Sequence, residues 1–592
     1  MSVPHSTAPH PRPLADHSAD WRMLMLAAAA IIVGTGGALG AWLLVKLIAI
    51  ATNIFWHGRL STTDMGIVGA RQGLWIVAIP VIGSLLIGLM ARFGSEKIRG
   101  HGIPEAIEAI LYGESRLSLK VAILKPLSSA ISIGSGGPFG AEGPIIMTGG
   151  AIGSLFAQCF HLSAAERKTL LVAGAAAGMT GIFGTPLAAI LLAVEVLLFE
   201  WKPRSFVPVV IAALVAMGWR PLLMGSGPMF ALTAVQAIAG WQVSILALGI
   251  GVIVGCEGAL LSWLLYRVED GFHRLPVHWL WWPAIGAVVV GLGGLVDARV
   301  LGAGYANIQA LLDGAMSLRL ILMLLLVKAV VWLVALGSGT SGGVLAPLLI
   351  LGGALGAILG HFLPGPVGFW AMVGMAGMMS GAMRAPLTGA LFAVELTGDF
   401  AALPATVAAA AGAYAISVLI MRRSILTEKI ARRGRHILQE YTVDPLEFLQ
   451  AEQVMTAAPA TLAHDMTVAA AVAFFAGTAP HRSYPVIDDA GRLLGLVSRS
   501  DALRWSVEGA GEDGRTLAET LSDASQPFAY PQTPIGAVAD LMLETGIGRI
   551  PIIDAGSRRV LGILSRHDLL KARGERRRTE FDRSRRDGGA GK

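Results

Sequence analysis

The chain predicts an all-α polytopic membrane domain of two repeats built from broken helices, followed by a soluble α/β module that is itself doubled. Three observations carry this. Of 592 residues, 54% are hydrophobic and only 15% charged, against about 25% charged in a typical soluble domain, and mean hydropathy is +0.64. Glycine numbers 74, well above its average usage of about 7%, which in an apolar chain points to close helix packing or to helices interrupted within a membrane. Finally, long sequence blocks recur in the same order along the chain. Together these exclude a soluble enzyme, a disordered chain and a disulfide scaffold.

Residues 1–21 are polar, with Pro and His, and lack the apolar core and cleavage site of a signal peptide, so the first apolar run is expected to stay in the mature protein. Runs suited to membrane helices lie at 23–50, 72–91, 205–217, 241–265, 278–296, 317–336, 367–382 and 403–421. Between them are shorter apolar pieces at 104–111, 143–160, 186–199, 343–362 and 386–394, bounded by Gly and Pro. Non-helical backbone at membrane depth is tolerated only where protein buries it or a cavity hydrates it, so many interrupted helices imply an internal polar pathway. Cys159 and Cys256 both lie in apolar segments and read as free thiols used as small hydrophobes.

GSGGPFGAEGPIIMTGGAIG, from Gly134, is repeated as GSGTSGGVLAPLLILGGALG from Gly337, with Pro144 matching Pro347 and Gly149 matching Gly352 at one offset. PLAAILLAVE, ending at Glu195, is repeated as PLTGALFAVE, ending at Glu395. Repeated halves with broken helices are the pattern of transporters, with the site where the halves meet. The halves are placed at about 22–235 and 236–422.

After residue 420 the composition changes. Residues 421–436 (MRRSILTEKIARRGRH) are basic, as is the tail KARGERRRTEFDRSRRD at 571–587, and they account for much of a net charge of +6. Beside a membrane domain such segments fit the cytoplasmic side rather than nucleic acid. A basic linker is assigned to 423–446 and a terminal tail to 574–592. SYPVIDDAGRLLGLVSRSDAL (483–503) and GRIPIIDAGSRRVLGILSRHDLL (548–570) each read as strand, turn, strand and a helix opened by Ser-Arg-x-Asp. They define two soluble units, 447–507 and 508–573.

The loop GSGTSGG at 337–343 contains both a dinucleotide fingerprint and a nucleophile-elbow pattern. Each needs a preceding strand in a doubly wound sheet; here an apolar helix precedes, with no acid some 20 residues on and no His partner. What survives is the physics they share. Glycines opening a helix leave backbone N–H groups free, and a helix N-terminus carries roughly half a positive charge that favours anions. The repeat supplies such a terminus twice, at 140–144 and 342–347. Glu142 sits in the first, GAEGP. An ionisable group at membrane depth is costly and usually functional. A tethered carboxylate there competes with a permeant anion, blocking when ionised and seated, and opening when protonated or swung away.

GHGIP (from Gly100), GAEGP (from Gly140), GIFGTPLAAILLAVE (from Gly181) and GGVLAP (from Gly342) together resemble the CLC chloride channels and proton-coupled anion transporters, over about residues 22–436. The doubled soluble part resembles a tandem CBS module. The resemblance implies an inverted repeat with partly re-entrant helices, and a homodimer in which each subunit has its own anion pathway. By motif position, Glu142 looks like the gating glutamate, and the amides of Ala141, Glu142, Gly143, Val344, Leu345 and Ala346 would line the anion path with His101 and Gly102. The chain departs from the family in having His101 where Ser is usual, Leu345 where Phe is usual and Leu426 where an anion-facing Tyr is common. The central site thus loses hydroxyl donors and keeps amides, and His101 either faces the anion or caps the helix opened by Pro104. Where coupled relatives carry a proton-passing glutamate, this chain has Val196. Glu195 and Glu395 read as structural acids. In the CBS pair, Ser498 and Asp501, with Ser565 and Asp568, match the signature that takes an adenine nucleotide, phosphate on the Ser and helix terminus and ribose on the Asp.

These residues lead to passive, channel-like chloride conduction gated by Glu142, without a required cofactor and without enzymatic activity; the alternative is a proton-coupled chloride antiporter. A fluoride exporter fits less well. A CBS-regulated magnesium channel would need several intramembrane oxygen ligands, and only Glu142, Glu195 and Glu395 stand out. The expected setting is a bacterial inner membrane, with the N-terminus and CBS units cytoplasmic.

Overall fold

The computed structural model describes residues 21–160, 162–232, 240–434, 449–508, 514–521 and 526–572. The segments assigned above as the polar N-terminus, the later part of the basic linker and the basic tail lie outside them, apart from Trp21. Contacts divide the chain into one unit of His17–Gln439 and another from Glu440 onward.

The first unit is all helix. Its first repeat contains α1 (Trp21–Thr52), α2 (Trp75–Phe93), α3 (Ile103–Tyr112), α4 (Leu119–Gly134), α5 (Glu142–Cys159), α6 (Ala164–Phe183), α7 (Pro186–Leu192), which runs on as a π-turn over Ala193–Leu198, and α8 (Pro203–Leu223). The second contains α9 (Trp241–His273), α10 (Trp282–Val296), α11 (Tyr305–Leu312), α12 (Leu318–Gly337), α13 (Leu345–Gly360), α14 (Val367–Met383), α15 (Pro386–Thr397) and α16 (Leu403–Ile420), with α17 (Thr427–Arg432) following. The halves pack alike: α5 lies on α6 as α13 lies on α14, and α1 on α8 as α9 on α16. Small residues allow this. Gly149 and Gly174 approach so closely that a Cβ on either would strike the other's carbonyl, and Gly352 with Gly374 repeats the contact.

Seven helical segments among the described residues are long and apolar enough to cross a membrane: Arg22–His57, Trp75–Phe93, Pro203–Leu223, Trp241–His273, Trp279–Val296, Leu318–Gly337 and Phe400–Ile420. The run at 367–382, expected to span, is instead the 17-residue α14, buried from Gly368 to Met383; its apolarity serves protein contact on all sides rather than lipid. Two of the longer helices escaped the hydropathy reading. In α6 the opening Glu166, Arg167 and Lys168 mask an otherwise buried helix, although the Ser163/Glu166 capping box at its start was legible. The other is α4, which carries Lys125 and three buried serines. The two thiols are free and exposed on the protein surface rather than buried.

The second unit holds two three-stranded sheets, one from β2 (Leu462–Ala463), β3 (Ser483–Ile487) and β4 (Leu493–Ser498), the other ordered β1 (Thr456–Ala457), β6 (Val560–Ser565), β5 (Arg549–Ile553). The two hairpins are built alike, Tyr484 opposite Val497 and Ile550 opposite Leu564, each with an irregularity one residue before its end. Their turns zip together through Leu493 N–H to Arg558 O and Val560 N–H to Gly491 O, both 3.1 Å. Asp488 and Asp554 accept turn amides, which holds both carboxyls below their ordinary value of 3.8.

Candidate anion site between the repeats

Three glycine loops meet where the repeats face each other. Gly100 pairs with Ser341, and Gly140 with Gly343. Gly100 N–H reaches Thr340 O at 3.0 Å, while Gly140 and Gly343 exchange N–H···O bonds of 3.3 and 3.0 Å. These pairings bring the N-termini of α3, α5 and α13 together, three positive helix ends in one protein interior. Gly102, at the α3 N-cap, has φ +89°, and a Cβ there would run into the Gly143 carbonyl 2.7 Å away. Only glycine fits that turn and that approach.

The loops are held by buried cations. Lys125 Nζ donates to Ile98 O and Gly100 O, both at 2.8 Å, and to Ser341 Oγ at 3.2 Å, where Ser128 and Ser129 also converge at 3.1 Å. Lys328 does the same in the second repeat, to Val300 O at 2.8 Å and Gly302 O at 3.1 Å. The sequence signal was present: a Lys within each apolar helix, nine residues ahead of a repeated Gly-Ser-Gly, and a Gly-x-Gly before both α3 and α11.

Glu142 is the first residue of α5 and fully buried. Its own amide and that of Ala346 face the carboxylate. Tyr305 donates its hydroxyl to Oε1 at 3.4 Å, while Oε2 lies against Gly343 without a partner at hydrogen-bond geometry. No cation among the described residues pairs with it. Sequence reasoning missed Tyr305, which comes from the other repeat.

The remaining expected site residues divide. His101, Gly102, Ala141, Gly143, Val344, Leu345 and Ala346 are all buried around these loops. The Ala141 amide, however, is taken by the Tyr305 hydroxyl at 3.3 Å. His101 does not cap α3: Glu105 Oε2 accepts from Gly102 N–H at 2.8 Å and serves as the cap, leaving His101 Nδ1 buried and unpartnered. Glu105 is itself neutralised by Lys429 at 2.8 Å. Leu426, the N-cap of α17, is buried, and α17 packs on α3. Val196 is buried in the π-turn.

Glu195 accepts from Leu387 N–H (3.1 Å), Thr388 N–H (2.8 Å) and Thr388 Oγ1 (2.6 Å). Glu395 accepts from Leu187 N–H (3.0 Å) and Ala188 N–H (2.8 Å). Each repeat's acid thus caps the other's Pro-initiated helix, which is a structural use of both. Among the carboxylates of the helical unit that went unread are Glu105 and Glu257, the latter in α9 with Oε2 buried and unpartnered.

In the soluble unit, Asp501 Oδ2 accepts from Ser498 N–H (3.0 Å) and Oγ (2.6 Å), and its Oδ1 from Arg504 (2.9 Å). Asp568 Oδ2 accepts likewise from Ser565 N–H (2.8 Å) and Oγ (2.7 Å).

Spanning helices enclosing broken ones whose N-termini converge on a buried carboxylate make this a multi-pass membrane protein of the ion-moving class. The family model described as voltage gated chloride channel matches residues 82–418, and the CBS domain model matches 451–508 and 523–575. The chain therefore belongs to the CLC-type voltage gated chloride channel family and carries a C-terminal pair of CBS domains. It is 31% identical over 411 residues to the voltage-gated ClC-type chloride channel ClcB of Salmonella dublin, covering 66% of this chain and 98% of that one. Among solved structures it resembles a slow cyanobacterial Cl−/H+ antiporter, with TM-score 0.61 and 21% identity over 70% of this chain and 99% of that one. It also resembles a eukaryotic CLC transporter, with TM-score 0.57 and 20% identity over 92% and 98%.

Proposed function

We propose that the protein conducts chloride or a similar anion passively, with Glu142 as the gate and the amides of Gly143, Val344, Leu345 and Ala346, with His101 and Gly102, forming the path. The observation that carries the uncoupled reading is the pair at 195 and 196. Val196 neither binds nor releases a proton, and Glu195 is committed to the α15 N-terminus by three hydrogen bonds. Purified protein in liposomes, with a chloride gradient and no proton gradient, should run chloride down without uphill proton movement. A proton ionophore should leave the rate unchanged once voltage is clamped. Sustained uphill proton movement at a fixed ratio to chloride would replace this reading with antiport, for which the unpartnered His101 Nδ1 is the supporting feature.

Membership of the family supports a homodimer, and the bacterial relative and the basic segment around residues 421–434 support a bacterial inner membrane with the CBS pair in the cytoplasm. The CBS pair takes an adenine nucleotide through Asp501 or Asp568, the acids of the two matching Ser-Arg-x-Asp turns. A ligand at a hundredfold excess over Kd adds about 2.7 kcal/mol by linkage, so ATP, ADP or AMP should raise the melting temperature of the soluble unit, and Asp501→Ala or Asp568→Ala should abolish the shift. No shift with any of the three leaves the pair a scaffold.

A further inference from the structure

We propose that Tyr305 is the latch of the gate: its phenol holds the seated Glu142 carboxylate, so that the second repeat sets how readily the first repeat's gate opens. This rests on the reading of Glu142 as the gate.

Tyr305 is the first residue of α11, directly after Gly304 at φ +74°. The loop behind it is clamped by Lys328 on the Val300 and Gly302 carbonyls, so the phenol is aimed by a fixed backbone. Its ring is boxed by Phe183, edge-on at 6.4 Å, and Phe230 at 6.0 Å, and Phe183 is backed by Phe392 at 5.5 Å.

The hydroxyl has one proton. Its oxygen accepts from Ala141 N–H at 3.3 Å, which leaves that proton for Glu142 Oε1 at 3.4 Å. Tyr305 is only part-buried, and a ring present only for packing would need no hydroxyl. Both partners of this one lie at the gate. The bond matters because no cation among the described residues neutralises Glu142; the carboxylate is held by amides and by this phenol alone. The contact exists only with the carboxylate in place, so it stabilises the closed arrangement and is lost on opening.

The test uses the full chain in liposomes, with chloride efflux measured at neutral pH. Tyr305→Phe keeps the ring and deletes the donor. It should raise efflux about tenfold, the value of one hydrogen bond to a charged group, while the melting temperature falls only by what the Ala141 amide loses with its acceptor. In a Glu142→Ala background the same substitution should change nothing, since there is no carboxylate to latch. Should Tyr305→Phe fail to fold, 3-fluorotyrosine at position 305, a stronger donor of nearly the same size, should lower efflux. Wild-type efflux from Tyr305→Phe, with Glu142→Ala elevated, overturns the latch and leaves the gate standing. An equal rise in both backgrounds also overturns it, because the phenol then acts on the path itself. Wild-type efflux from Glu142→Ala removes the gate and the latch together.

Discussion

Glu142→Ala and Glu142→Gln should each leave chloride flux running and abolish its response to external pH. The wild-type carboxylate sits at the N-terminus of α5, facing the amide of Ala346 at the start of α13, where an anion is favoured by both helix ends. On the proposed reading its negative charge competes with a permeant chloride for that place. Gln mimics the protonated acid and Ala vacates the site, so neither competes. A hydrogen bond to a charged group contributes about 1.5–3 kcal/mol, and losing even one should raise flux at neutral pH by about tenfold or more. Chloride efflux from proteoliposomes across a series of external pH values reads this directly. An alanine variant as pH-dependent as wild type would show that the gate lies elsewhere.

The second large effect concerns stability. Glu395→Ala removes the acceptor of two amides at the α7 N-terminus, one of them fully buried. Loss of a helix cap costs about 1–2 kcal/mol, and a buried N–H left without a partner adds about 1–3 kcal/mol. Glu195→Ala strips three donors, but in a more exposed position, so its cost should be the smaller. Glu395→Gln keeps one oxygen and should fall between wild type and Ala. Thermal unfolding in detergent ranks the three, and a Glu395→Ala protein as stable as wild type would mean the cross-repeat cap contributes nothing.

Much of this was legible because the decisive residues are glycines, prolines and acids at fixed offsets. GAEGP and GGVLAP announced the helix starts at Glu142 and Leu345, and the doubled PLxxxLxAVE announced a matched pair of acids. That the acids exchange partners between repeats was not legible, since spacing along a chain says nothing about which copy a side chain reaches. Tyr305 was invisible for the same reason: an aromatic at a helix start reads as apolar filling until the opposite repeat brings Glu142 to its hydroxyl. Hydropathy misjudged α14 because a helix surrounded by protein and one surrounded by lipid want the same side chains, and it misjudged α6 in the opposite direction because three charged residues open that helix. His101 was weighed as an α3 cap, and the cap proved to be Glu105, three residues after Gly102, where a capping carboxylate belongs.

The strand β1 has a consequence for the order in which the protein is made. Thr456 pairs with Ile563, so the first strand of the soluble unit finds its neighbour only when the last strand has been synthesised. At about 5–20 residues per second, the ribosome leaves β1 an open edge for several seconds, long after the helices before it have emerged. Pairings this distant in sequence form slowly, and an unpaired edge invites association with other chains. A nascent chain stopped just before Val560 therefore lacks the partner of its own first strand, and in it the soluble unit stays unclosed however complete the helical part already is.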